Sequence, residues 1–280
     1  MTLIFGVPLS VLFGQLLLGL INGSFYALLS LGLAIIFGLL RIINFAHGAQ
    51  YMLGAFAAFI GLNYLGINYW MALLLSPLLI GLLGMGIERG LLRRIAGEDH
   101  LYGLLLTFGL ALIVEGSFVK LFGVSGSPYP MPDLLKGGHN LGFMFLPTYR
   151  GWVIVAALTV CFATWYMIER TRLGSYLRAG TENPKLMQAF GINVPLLVTL
   201  TYGYGVALAA FAGVLAAPIY AVTPGMGSNL LIVVFAVVVI GGMGSIMGAI
   251  VTGLAMCSGL ISPDTSIGGK STDLGSCHEP

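Results

Sequence analysis

The sequence predicts an all-α protein, a polytopic transmembrane helical bundle with about seven to eight membrane segments. Three observations carry that prediction. The 280 residues are 58% hydrophobic and only 8% charged, the mean hydropathy is +0.99, and the apolar residues fall in continuous runs. A soluble domain carries about 25% charged residues, so this chain could not cover a water-facing surface, and its solvent is lipid. Continuous runs, rather than the dyad alternation of a barrel, fit helices, which satisfy their backbone polar groups internally. The 41 glycines fit the close backbone approach that helices use in lipid.

In chain order the apolar segments fall near 9–40, 49–66, 69–92, 101–122, 151–168, 196–221 and 229–256. The first is long for one upright helix and short for two. It reads either as one tilted helix or as two helices with a sharp turn near Asn22–Gly23. No basic residue precedes it, so it is read as a retained first helix rather than a cleaved signal peptide. Basic residues collect at 88–100 (Arg89, Arg93, Arg94) and at 169–196 (Arg170, Arg172, Arg178, Lys185). The positive-inside rule places both in the cytoplasm. The two crossings between them return the chain to the same side, which leaves 123–150 outside. The expected organisation is a transmembrane domain over 1–257, with an inner loop at 169–196 and an outer loop at 123–150. Residues 258–280 form a polar tail read as disordered. The Gly- and Pro-rich outer loop is either a solvated linker or a surface where an external partner docks.

Other classes find little support. A net charge of +2 without a basic block gives no nucleic-acid footprint. His47, His100, His139 and His278 are scattered, and Cys161, Cys257 and Cys277 make no disulfide framework. No enzyme constellation and no cofactor are expected. Gly269-Lys270-Ser271 is not a phosphate loop, because Asp264 stands where that loop needs glycine and no strand precedes it. ATP energy, if used, comes from another subunit.

Polar groups inside crossings are costly and so informative. Arg41, Asn44 and His47 are spaced to share one side of a helical end near the cytoplasmic face. They read as an interfacial anchor, with Arg41 snorkelling and Asn44 capping a helix from about Phe45, or as a polar constriction on a translocation path. Glu115 is taken as the only carboxylate inside a crossing, with Lys120 five residues later, and local pairing or snorkelling is preferred to a proton relay. So few acids argue against ion-coupled transport. In the polar stretch 169–195, Asn183-Pro184 suits a helix start and Gly191 a helix end. That spacing predicts a short helix over 184–190, either a plain loop helix or a lever for a soluble partner. Gly244 and Gly248 make a GxxxG face. With Gly241 and Gly242 they also permit a break, so the block reads as tight packing or as a glycine-lined gate.

Together these motifs resemble a known family. Asn22-Gly23-Ser24-Phe25-Tyr26-Ala27-Leu28 and Arg41-Ile42-Ile43-Asn44-Phe45-Ala46-His47-Gly48 resemble the opening of the branched-chain amino acid ABC transporter permeases. Arg178-Ala179 through Glu182-Asn183, Ala189 and Gly191-Ile192 resemble that family's coupling loop. Gly241-Gly242-Met243-Gly244-Ser245 through Gly248-Ala249 is similar to its penultimate region, and the likeness covers about 1–255. The resemblance implies an inner-membrane permease subunit of an ATP-driven importer. Its substrates would be leucine, isoleucine and valine, or related amino acids, urea or short amides. The implied partners are a second, related permease, two cytoplasmic ATPases and an external substrate-binding protein. Arg178, Ala179, Glu182, Asn183, Lys185 and Gly191 would then meet the ATPase. Asn22, Tyr26, Asn44, His47, Gly241, Gly242 and Gly244 would border the translocation path. The alternative is an ion-coupled carrier or channel for small solutes. One departure stands out: the family continues with a further apolar helix where Ser258–Pro280 is polar, so an atypical or truncated C-terminus is expected.

Overall fold

The computed structural model describes residues 3–4, 7–40, 42–95, 99–140 and 145–257. Arg41 and the 258–280 tail lie outside the described residues. The apolar runs fold as helices because a helix bonds its own backbone where lipid offers no partner. Helix α1 (Leu9–Ala34) continues as a π-helical turn, Ile35–Leu39. It passes unbroken through Asn22–Gly23, so the first run is one helix. Next come α2 (His47–Leu65) and α3 (Tyr69–Ile87). A π-helical stretch, Glu88–Leu92, carries α3 into the short α4 (Arg93–Ile95). Then follow α5 (His100–Phe122), α6 (Thr148–Arg170), α7 (Arg172–Glu182) and α8 (Pro184–Ala189). The last are α9 (Val194–Ala216), α10 (Met226–Ile240) and α11 (Ile246–Cys257). Among the described residues, 5 helical stretches are long and apolar enough to cross a membrane, and α10 and α11 are shorter apolar helices. The protein is a multi-pass helical membrane bundle.

Helix α9 is the centre of the packing. Its small residues let three neighbours approach backbone to backbone, the device that replaces the hydrophobic drive in lipid. A Cβ on Gly32 of α1 would lie 2.7 Å from the Gly205 carbonyl oxygen, and one on Gly54 of α2 would lie 2.7 Å from the Ala210 carbonyl carbon. On α3, one at Gly81 would lie 3.1 Å from the Gly203 carbonyl oxygen. Tyr202 and Tyr149 are fully buried in this core. Helix α5 sits outermost, with Leu105, Phe108, Leu112 and Ile113 exposed, the apolar surface of a helix whose solvent is lipid.

The two ends of the bundle differ. At one, Arg93 beside α3 meets Pro195 at the start of α9, which brings the two basic segments of the sequence together. At the other, Ser127 pairs with Val222, and the Tyr149 hydroxyl donates to the Leu215 carbonyl at 2.9 Å. The loop at this second end is built rather than slack. It carries an antiparallel hairpin of β3 (Gly138–Asn140) and β4 (Phe145–Pro147); β1 (Leu3–Ile4) and β2 (Val7–Pro8) form a smaller one. Tyr129 packs near Tyr69, whose ring also meets Tyr149, and burial pushes the Tyr129 hydroxyl up to about 12. Helix α1 runs antiparallel to α9, since Gly32 lies beside Gly205 while Asn22 accepts a hydrogen bond from Tyr220. It therefore starts at the hairpin end and finishes toward the basic end.

Candidate functional site

The link from α1 to α2 departs most from the sequence expectation. Residues 42–46 are not helical, so Asn44 and His47 do not share a helical face, and they lie inside the bundle rather than at an interface. Asn44 is 0% exposed and His47 1%. The Phe45 amide donates to the Thr107 hydroxyl at 3.1 Å. Thr107 lies seven residues into α5, about 10 Å along it from the basic end. Irregular backbone at such depth is tolerated only where protein supplies its partners, and here the partners are visible. Asn44 Oδ1 accepts from the Ala46 amide (3.1 Å), and Asn44 Nδ2 donates to Gln50 Oε1 (3.0 Å). Gln50 Nε2 reaches the Tyr202 hydroxyl at 3.4 Å. Phe45 stacks on Phe235 with ring centroids 5.0 Å apart. Asn44 thus serves the turn just ahead of a helix that begins at His47, two residues later than expected.

His47 Nε2 donates to the Leu29 carbonyl at 3.0 Å. Its Nδ1, the acceptor in that tautomer, has no hydrogen-bond partner among the described residues. Beside it Gly48 packs on Gly227, where a Cβ on Gly48 would lie 2.8 Å from the Gly227 carbonyl carbon. Of the other residues expected on a path, Tyr26 is buried in the core and Asn22 is half-buried against Tyr220.

The glycine block ends α10 and starts α11. Gly242 and Gly244 have φ of +92° and +99°, a region that glycine enters without steric cost. The run 229–256 is therefore two helices, and Gly244, lying outside α11, does not share a GxxxG face with Gly248. Close packing occurs as well. A Cβ on Gly241 would lie 2.6 Å from the Gly248 carbonyl carbon, and Ser245 Oγ accepts from the Gly248 amide at 3.0 Å.

At the basic end, α7 and α8 form a largely exposed pair. The sequence predicts the second alone. Asn183 Oδ1 accepts from the Leu186 amide (3.1 Å) at the start of α8, and Gly191 takes φ +80° beyond its end. Helix α7 lies against the bundle through Gly174, Leu177 and Gly180. Arg178 pairs with Glu169 at 3.5 Å, Ala179 accepts from the Asn183 amide, and Glu182 and Lys185 are exposed. Leu186 is 53% and Phe190 73% exposed. Large apolar side chains exposed on so polar a segment are the kind of surface that marks a contact site.

The family model described as branched-chain amino acid transport system, permease component, matches residues 15–259. The chain belongs to this permease family. It is 32% identical over 256 residues to the high-affinity branched-chain amino acid transport system permease protein BraD of Pseudomonas aeruginosa, covering 86% of this chain and 83% of that one. It is 31% identical over 259 residues to the corresponding LivH protein of Escherichia coli, covering 86% and 82%. No solved structure matches.

Two residues of the permease escaped the sequence reading. Gln50 closes the buried turn, and its only sequence signal is an amide three residues after His47 in an apolar helix. Glu88 corrects the reading of Glu115 as the sole carboxylate in a crossing. It lies in the continuation of α3, 3% exposed, and accepts from Thr199 at 2.6 Å. Glu115 itself meets Ser228 of α10 at 3.3 Å, and among the described residues no ion pair joins it to Lys120. Nor does any group of three or more His, Cys, Asp or Glu among them offer a metal site.

Proposed function

We propose that this permease is the membrane subunit of an ATP-driven importer for branched-chain or related amino acids in the inner membrane. It pairs with a second, related permease, two cytoplasmic ATPases and an extracytoplasmic binding protein. The observation that carries the reading is the α7–α8 segment, a capped pair of helices with Leu186 and Phe190 bare beside Lys185 and Glu182. Capped helices with bare apolar side chains suit a lever gripped by a separate motor. The domain over 1–257 holds the path, 169–196 faces the cytoplasm and 123–150 faces outward.

Within it Arg178, Ala179, Glu182, Asn183, Lys185 and Gly191 form the ATPase contact. Asn22, Tyr26, Asn44, His47, Gly241, Gly242 and Gly244 border the route of the substrate. The break at Gly242 and Gly244, which separates α10 from α11, supports a role as a gate between them. Reconstitution with the partner subunits in proteoliposomes tests the reading. Leucine uptake stops when the phosphate-binding lysine of the ATPase is replaced. Uptake by this chain alone, down a gradient and without ATPase, overturns it. With Cys161, Cys257 and Cys277 replaced by serine, Lys185→Cys reports the orientation, since a membrane-impermeant maleimide labels it in inverted vesicles and not in right-side-out ones.

A further inference from the structure

The acid at Glu88 has no part in the function proposed so far, yet it lies next to the segment on which that function turns. Burying a carboxylate is costly unless charge and hydrogen bonds answer it. Here both do. Thr199 Oγ1 donates to Glu88 Oε2 at 2.6 Å. Arg93 Nη2 approaches the same oxygen at 3.4 Å and donates to Thr199 Oγ1 at 2.6 Å and to the Pro195 carbonyl at 2.9 Å. One guanidinium nitrogen therefore touches the end of α3 and the first turn of α9, which leads directly out of α8.

Local backbone geometry makes the cluster possible. In an α-helix, residues five apart point about 140° away from each other. Glu88–Leu92 is π-helical, and that wider i→i+5 turn returns Arg93 to the side of Glu88. Between α8 and this cluster lies a cavity of about 360 Å³, with Glu88 and Arg93 among its lining on one side and Pro184 and Gln188 on the other. Helix α8 thus has space behind it, and the Arg93–Pro195 bond reaches from α3 to the base of the segment that carries it.

We propose that Glu88, Arg93 and Thr199 form a latch that makes α3 and α9 move as one body when the α7–α8 segment is displaced. They are positioning residues for transport, and the proposal rests on the coupling reading above. Because the buried acid holds its two partners, displacement at Pro195 is carried into α3 rather than lost as sliding between the helices.

The test measures leucine delivered per ATP hydrolysed by the full complex in proteoliposomes. Thr199→Val removes the hydroxyl and keeps the shape; it lowers that ratio about tenfold, while Thr199→Ser keeps the wild-type ratio. Arg93→Ala would strand the buried acid, so the paired variant Glu88→Gln with Arg93→Gln provides the second arm, and it lowers the ratio likewise. A wild-type ratio in both assembled variants overturns the latch. Failure of both variants to assemble also overturns it, because the cluster would then serve stability alone. If wild-type uptake proves independent of ATP, the coupling reading falls instead.

Discussion

Around Asn44 the chain draws polar side chains into an apolar interior, whereas around Phe190 it pushes apolar side chains out of a polar surface. Both regions interrupt the run of long helices, and both begin with an asparagine whose side chain accepts a backbone amide. Their surroundings are opposite. Asn44 bonds Gln50, Gln50 reaches Tyr202, and Thr107 receives the Phe45 amide, so the turn is held within the bundle by residues remote in sequence. The Asn183 side chain caps its own helix, and Leu186 and Phe190 after it stand exposed. The first region is therefore judged by what its loss does to folding, the second by what its loss does to assembly.

Several substitutions sharpen that contrast. The largest effect falls on the buried turn. Asn44→Ala leaves the Ala46 amide and the Gln50 carbonyl unanswered and destabilises the chain by about 3 kcal/mol, seen as a drop in detergent melting temperature. An unchanged melting temperature there would erase the distinction between the regions. Next, Phe190→Asp leaves the stability of the isolated chain within about 0.5 kcal/mol. It weakens recovery of the ATPase complex about tenfold, equal to about 1.4 kcal/mol, measured by co-purification. Asn183→Ala removes a cap worth about 1 kcal/mol. Hydrogen exchange at 185–189 speeds up while the buried helices keep their protection.

The smallest effect lies in the hairpin loop. There Asp133, fully exposed, is held below its ordinary 3.8 by a hydrogen bond and the charge of Lys136. A depressed carboxyl adds its contribution above the ordinary value and loses it as pH falls through the lower, folded one. Lys136→Met returns the Asp133 titration to the ordinary value in a carbon-13 NMR titration, with no change in melting temperature at neutral pH.

The same contrast separates what the sequence announces from what it conceals. Helix α8 was legible because its determinants are local: Asn183 and Pro184 at its start, Gly191 past its end. Helix α7 was not separated from its surroundings, since Thr171, which accepts from the Leu173 amide, is a weaker signal inside a charged stretch. The apolar runs were legible as helices, and the paired basic segments as one end of the bundle. The turn at 42–46 was hidden because its depth is fixed by Thr107 and Tyr202, residues brought to it only by folding. Glu88 was hidden for a related reason. On the chain it belongs to an interfacial run of arginines, and only Thr199, 111 residues away, reveals it as buried. The break within 229–256 was written in its glycines, but tight packing and a turn use the same residues, and here they occur together.

One further consequence follows from the length of α1. Its 26 residues rise about 39 Å, against a hydrocarbon core of about 30 Å. The helix therefore leans or stands proud of the lipid, and membrane thickness acts on its angle. Gly23 and Gly253 press α1 and α11 together, backbone against backbone, so α11 shares whatever lean α1 adopts. A change in bilayer thickness therefore bears on both helices together.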